Sequence, residues 1–253
     1  MCTKIRAHRK CSGGLGGGEG EGRVWQGEGM NVEKAAVWSR PDDGVAPLVV
    51  LLHGRGGTEQ DLTRLFPFLP DDVVAVSLRG LLPRPDGFSW FSVGLDAREA
   101  TAEHVAPAAD AVLAWIADHA PTGETAPRRA VAVVGYSQGG AVAVHMMRRA
   151  PLALDTLVLI AALLGTGDEP GDDELLDVRP PVYWMRGLRD EAITLMDVQR
   201  VAYFLPPHSR LTTAEHPLLG HDLSDTFLAA TGAYLARWVE ALPRPSRGPE
   251  PDA

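Results

Sequence analysis

Hydrophobic positions in the middle of the chain fall into two alternating patterns. Five short runs are nearly continuous and rich in β-branched residues: Leu48–Leu52, Val73–Ser77, Val131–Val134, Leu157–Ile160 and Val182–Met185. Continuous apolar character over four or five residues fits strands covered on both faces, as in a parallel sheet. Longer segments lie between them, Thr58–Phe66, about Glu103–His119, Gln138–Arg149 and Met196–Phe204, each long enough for a crossover helix. Thr58 followed by Asp61 reads as a helix start with an acidic group at the positive end. Pro107 is expected to begin or kink its helix. A last strand is predicted near Arg210–Ala214. Beyond it Leu223, Phe227, Ala230, Tyr234, Trp238 and Leu242 recur every three or four residues, the stripe of an amphipathic helix. The result is an α/β fold whose mostly parallel sheet carries helices on both faces, with sites beyond the carboxyl ends of the strands.

The pattern fails at both ends. Nine of the 27 glycines lie in the first 29 residues, where Lys4, Arg6, Arg9 and Lys10 precede a Gly/Glu run. Residues 1–29 are expected to be a disordered, dispensable tail, with Met30 as the functional start and Val32–Trp38 as an edge strand. Residues 243–253 form a proline-rich tail, leaving 30–242 as the folded body. The basic cluster is not followed by the apolar stretch of a signal peptide, and no run is long enough for a membrane span. The two cysteines, Cys2 and Cys11, both fall in the tail, which points to a reducing cytoplasm. A formal charge of −9 without a basic block in the body argues against nucleic-acid partners.

Chemistry concentrates at Gly135-Tyr136-Ser137-Gln138-Gly139, between a predicted strand and a predicted helix. A serine on such a turn stands at a helix N-terminus, where side chains two positions away would collide with the turn. The N–H of Gln138 can there stabilise negative charge. Serine needs a base, and the base an orienting acid, in the chain order Ser, acid, His. His221 follows the last strand and is the expected base, with His216 behind it; His208 precedes that strand, and His53, His104, His119 and His145 are out of order. Asp190, just past the Val182–Met185 strand, is the expected acid. Asp168, Asp172 and Asp173 are alternatives, although their run with Glu169 and Glu174 reads as a solvated loop. The turn His53-Gly54-Arg55-Gly56-Gly57 offers small residues through which backbone N–H groups can approach a substrate oxygen. Phosphate-loop, dinucleotide and metal-ligand spacings are absent from the sequence, so no cofactor or metal is expected.

Together, Leu52–Gly57 with Glu59–Leu62, Arg79-Gly80, Trp90-Phe91, Gly135–Gly140, Asp190 and Gly220-His221 resemble the phospholipase/carboxylesterase branch of the α/β-hydrolases, which includes acyl-protein thioesterases. The stretch from Arg55 to Leu62 looks closer to its bacterial carboxylesterases. The resemblance implies Ser137, Asp190 and His221 as catalytic, Arg55 and Gln138 as backbone oxyanion donors, and Trp90 and Phe91 beside the acyl pocket, where core packing is an equal reading. Ser92 stands where family members often carry Asp, and Tyr136 where Phe is common. The expected activity is hydrolysis of carboxylic esters or thioesters with short or medium acyl chains, since Leu163–Pro181 is too short for a large lid. A small-molecule ester is the expected partner. Lysophospholipase, acyl-protein thioesterase, acyltransferase or perhydrolase activity, and a noncatalytic binding protein of the same fold, are the alternatives.

Overall fold

The computed structural model describes residues 35–92, 100–119 and 129–243. The expectations for residues 1–29 and for most of the C-terminal tail lie outside these. Seven strands form one sheet: β1 (Ala36–Trp38), β2 (Leu48–Leu52), β3 (Val74–Leu78), β6 (Val131–Tyr136), β7 (Thr156–Ile160), β8 (Pro181–Gly187) and β9 (Arg210–His216). Their order is β1-β3-β2-β6-β7-β8-β9. All neighbours are parallel except the β1–β3 pair, so the expected edge strand is present in its described part and runs antiparallel. Leu52 pairs with Gly135 and Tyr136 with Ile160, which aligns the carboxyl ends of β2, β6 and β7.

The apolar runs are explained by burial on both faces. Leu48, Val50 and Leu52 point into a cluster formed with α1 (Ala102–Asp118) and α2 (Gln138–Arg149). Val49 and Leu51 point to the other side, against Leu62, Leu65 and the apolar stripe of α5 (Asp225–Ala241). β9, at the sheet edge, has only exposed and half-covered residues, in keeping with its Arg, Thr and Glu content.

Local chemistry shifts several expected elements. The segment after Thr58 is a 3₁₀ helix, Asp61–Phe68, containing Pro67, whose missing N–H removes a bond that an α-helix would need. Thr58 shapes the preceding turn: its Oγ1 accepts from the Gln60 N–H at 3.2 Å and donates to Asp61 at 3.0 Å. Helix α1 starts five residues ahead of Pro107, and the carbonyl that Pro107 leaves without an i+4 donor belongs to exposed Glu103, where water can serve it. A hairpin, β4 (Leu82–Arg84) with β5 (Gly87–Ser89), was not apparent in the pattern because its strands are three residues long. α4 spans Leu195–His208.

The acidic run after β7 is not a solvated loop. It contains helix α3 (Asp172–Val178) and an ion network closing on α2. Asp172 takes both Arg148 Nε (2.8 Å) and Nη2 (2.6 Å). Glu169, with a side chain 3% exposed, accepts from Arg149 Nη1 at 2.6 Å and meets His145 Nδ1 at 2.8 Å. The charges were legible in the sequence; their partners, two dozen residues away on α2, were not.

Candidate active site

Ser137 sits between β6 and α2 with φ 53° and ψ −115°. A positive φ at a residue bearing Cβ costs on the order of 1–3 kcal/mol. The surroundings hold it there: the Ser137 N–H donates to Ile160 O at 2.9 Å, and its carbonyl accepts from Ala141 at 3.2 Å. The hydroxyl is thereby carried past the end of the sheet, to the N-terminus of α2.

His221, on the loop after β9, approaches this hydroxyl, with Nε2 2.9 Å from Ser137 Oγ. Its Nδ1 lies 2.8 Å from Asp190 Oδ2, on the loop after β8. Asp190 Oδ1 accepts from the Ala192 and Ile193 N–H groups at 2.9 and 3.0 Å. With Asp190 as a carboxylate, Oδ2 accepts and Nδ1 carries the imidazole proton. Nε2 is left with a lone pair facing the serine hydroxyl. The two loops are tied together, because the Leu188 N–H donates to His216 O and the Arg189 N–H to Leu219 O, each at 2.9 Å. The other candidates lie elsewhere. His216 accepts from the Leu218 amide, and His208 bonds Phe204 O. Asp172 is engaged by Arg148, and among the described residues the carboxylate hydrogen-bonded to His221 is that of Asp190, not Asp168 or Asp173.

Tyr136 adds a contact that a phenylalanine could not make. Its hydroxyl donates to His221 O at 3.2 Å, and its ring lies 5.2 Å from the imidazole. Burial, reinforced by the charges of Asp190, Asp222 and Asp61, pushes the phenol up to about 12, so it remains a donor.

Arg55 and Gln138 each present a backbone N–H with no acceptor among the described residues. The first is oriented by His53, which precedes the serine in the chain. His53 is fully buried. Its Nε2 accepts from the Gly80 N–H at 2.9 Å, so Nδ1 is the donor, to Gly54 O at 2.6 Å. The Gly57 N–H also donates to Gly54 O, at 3.2 Å. Gly54 C=O and Arg55 N–H are opposite ends of one planar peptide, so anchoring the carbonyl fixes the direction of the N–H. A histidine directly after a central strand and before a glycine run was the available signal.

The Gln138 side chain links the two halves of the site, with Oε1 accepting from the Trp90 N–H and Nε2 donating to Phe91 O, both at 2.9 Å. The indole of Trp90 donates to His53 O at 2.8 Å. Trp90 and Phe91 are 2% and 5% exposed and belong to the core cluster on the α1/α2 side of the sheet. Glu59 and Arg79 form a bidentate pair, 2.7 and 2.6 Å, which holds the Glu59 carboxyl below its usual range and braces the glycine loop against the end of β3.

Burial keeps His53 and His145 below the ordinary histidine value. The unfolded chain therefore takes up protons that the native state refuses as the pH falls through about 6.5. Stability should fall on acidification from that point, by up to about 1.4 kcal/mol per pH unit for each histidine until its folded value is reached. Below the ordinary range of Glu59 a further loss should begin, as its pairing with Arg79 is titrated away. Urea midpoints measured from pH 7.5 down to 4 would show this; a midpoint that rises between pH 7 and 5.5 would contradict it.

Residues 49–253 match the Alpha/beta hydrolase family model, and the chain belongs to that family. Among solved structures, a carboxylesterase from Mesorhizobium loti is 22% identical with a TM-score of 0.62, over 75% of this chain and 88% of that one. The Bacillus cereus carboxylesterase is 18% identical with a TM-score of 0.64, over 80% and 93%. Zea mays acyl-protein thioesterase 2 is 18% identical with a TM-score of 0.63, over 81% and 99%. At these identities the likeness is one of fold. Comparison with curated protein sequences gives no match. No helix among the described residues is long and apolar enough to cross a membrane.

Proposed function

We propose that this protein is a cytoplasmic serine carboxylesterase, hydrolysing carboxylic esters or thioesters of short or medium acyl chains through an acyl-enzyme on Ser137. The observation that carries the reading is the continuous relay Asp190–His221–Ser137, with both bonds below 3 Å. Ser137 Oγ attacks the ester carbonyl as His221 Nε2 takes its proton. The resulting oxyanion is met by the N–H groups of Arg55 and Gln138. As the tetrahedral species collapses, the C–O bond to the alcohol breaks and His221 returns the proton to the leaving oxygen. Water then attacks the acyl-enzyme and gives a proton to His221; as the second tetrahedral species collapses, the Ser137 Oγ–acyl bond breaks, His221 Nε2 returns that proton to Oγ, and the acid leaves. Asp190 stabilises the imidazolium formed in each half. Trp90 and Phe91 enter the proposal as the wall behind the acyl site, acting through Gln138.

A fluorophosphonate probe should label one serine, recovered on the peptide containing Ser137. Aryl acetate, butyrate and octanoate should be turned over faster than aryl palmitate. Labelling of a different serine, or a preference for palmitate, would overturn the corresponding part of the proposal.

A further inference from the structure

Tyr136, the last residue of β6, touches both halves of the site. A Cβ built on Gly54 would lie 3.0 Å from Cδ1 and 3.1 Å from Cε1 of its ring. The ring edge therefore rests on Gly54, at the start of the peptide that carries the Arg55 N–H. The same ring lies 5.2 Å from the His221 imidazole, tilted by 31°, and its hydroxyl donates to the His221 carbonyl.

That hydroxyl is the main-chain anchor of the base. Among the described residues neither the N–H nor the C=O of His221 has a backbone partner, and the Tyr136 hydroxyl is the one group bonded to its main chain. Two residues earlier, Leu219 O takes the Arg189 N–H. The imidazole itself is held at both nitrogens, by Asp190 at Nδ1 and by Ser137 at Nε2. These two bonds do not persist equally through the reaction. Once Oγ is acylated it has no proton to donate, and Nε2 must serve the attacking water instead. Asp190 and the main-chain anchor then keep the imidazole in place. Burial, with the nearby carboxylates, pushes the phenol up to about 12, so it still carries its donor proton wherever His221 is neutral enough to act as a base.

We infer that Tyr136 is a positioning residue whose hydroxyl, by holding the His221 carbonyl, keeps the base aligned for the water that hydrolyses the acyl-enzyme. Its contribution falls mainly on deacylation. The inference rests on the esterase reading and assigns a role within it.

Tyr136→Phe removes the hydroxyl and keeps the ring against Gly54 and His221, so the fold should be retained. 4-Nitrophenyl acetate, with its good leaving group, separates the two halves of the reaction. Its kcat/KM reports acylation, and its kcat reports deacylation where a burst of 4-nitrophenolate precedes the steady state. In the variant kcat should fall about three- to tenfold, the worth of one neutral hydrogen bond, while kcat/KM stays within about twofold and KM falls with kcat. A loss of packing or of folded enzyme would instead lower kcat and kcat/KM together. In a His221→Ala background the same substitution should change the residual rate by less than about twofold, because the group that the hydroxyl holds is gone. Unchanged kcat, equal losses in kcat and kcat/KM, or the full loss repeated in the His221→Ala background overturns the positioning role. Wild-type turnover that vanishes in Ser137→Ala leaves the esterase reading standing in that event, whereas no turnover by wild type overturns both.

Discussion

Replacing Ser137 with alanine is expected to lower kcat/KM for an aryl butyrate by about 10⁴- to 10⁶-fold, the range found when a triad nucleophile is removed. Folding should be nearly unaffected. Alanine keeps the Cβ that makes the positive φ unfavourable, and the bonds from the backbone at 137 to Ile160 and Ala141 do not involve the hydroxyl. Rate and stability should therefore separate cleanly, with the thermal midpoint within a degree or two of wild type. His221→Ala should cost a similar factor, and the double variant little more than either single one, because hydroxyl and imidazole act as one unit. Residual activity above the uncatalysed rate is expected from the Arg55 and Gln138 amides, which neither substitution touches. Retention of a tenth of wild-type activity by Ser137→Ala would sink the mechanism, as would double-variant losses that multiply.

Sequence pattern reached the elements whose physics is local or repetitive. The apolar run Leu48–Leu52 coincides with β2, being short, β-branched and covered on both faces. Ser137, Asp190 and His221 can be nominated because each follows a strand, in the chain order serine, acid, histidine expected of this fold. Three features depended on partners remote in sequence. His53 precedes the serine and is out of order for the base, and only the approach of Gly80, 27 residues on, reveals its tautomer and so its grip on the Gly54 carbonyl. The sequence points to Gln138 only through its backbone, and its side chain acquires a purpose when Trp90 and Phe91 are brought against it. Glu169 looked like surface charge until Arg149 and His145 closed on it. In each case residue identity was visible, whereas the pairing is a property of tertiary contact. The 3₁₀ helix is a different kind of departure: Pro67 denies the segment an N–H that an α-helix would need, whatever Thr58 does at its start.

Gly139→Ala is expected to be the most damaging single-methyl change outside the relay. A Cβ at 139 would run into the Leu52 carbonyl oxygen, and it would also lie 2.7 Å from His53 O. Both obstacles are backbone at the end of β2, where pairing with β3 and β6 prevents retreat. α2 must then lift away from β2, taking Gln138 N–H and Ser137 with it. Overpacking of this kind costs about 1–3 kcal/mol in stability and occasionally more. The effect on rate should be larger, because Arg55 N–H and Gln138 N–H must converge on one oxygen, and loss of one such donor costs about 10²–10³-fold. A fall in kcat of at least that size is expected, with a reduced thermal midpoint and slowed fluorophosphonate labelling. Comparing the two losses tests how the site is built. If the fall in kcat tracks only the fraction unfolded at the assay temperature, Gly139 merely permits folding. If folded Gly139→Ala enzyme remains slow, the close approach of α2 to β2 is what aligns the two donors with the hydroxyl.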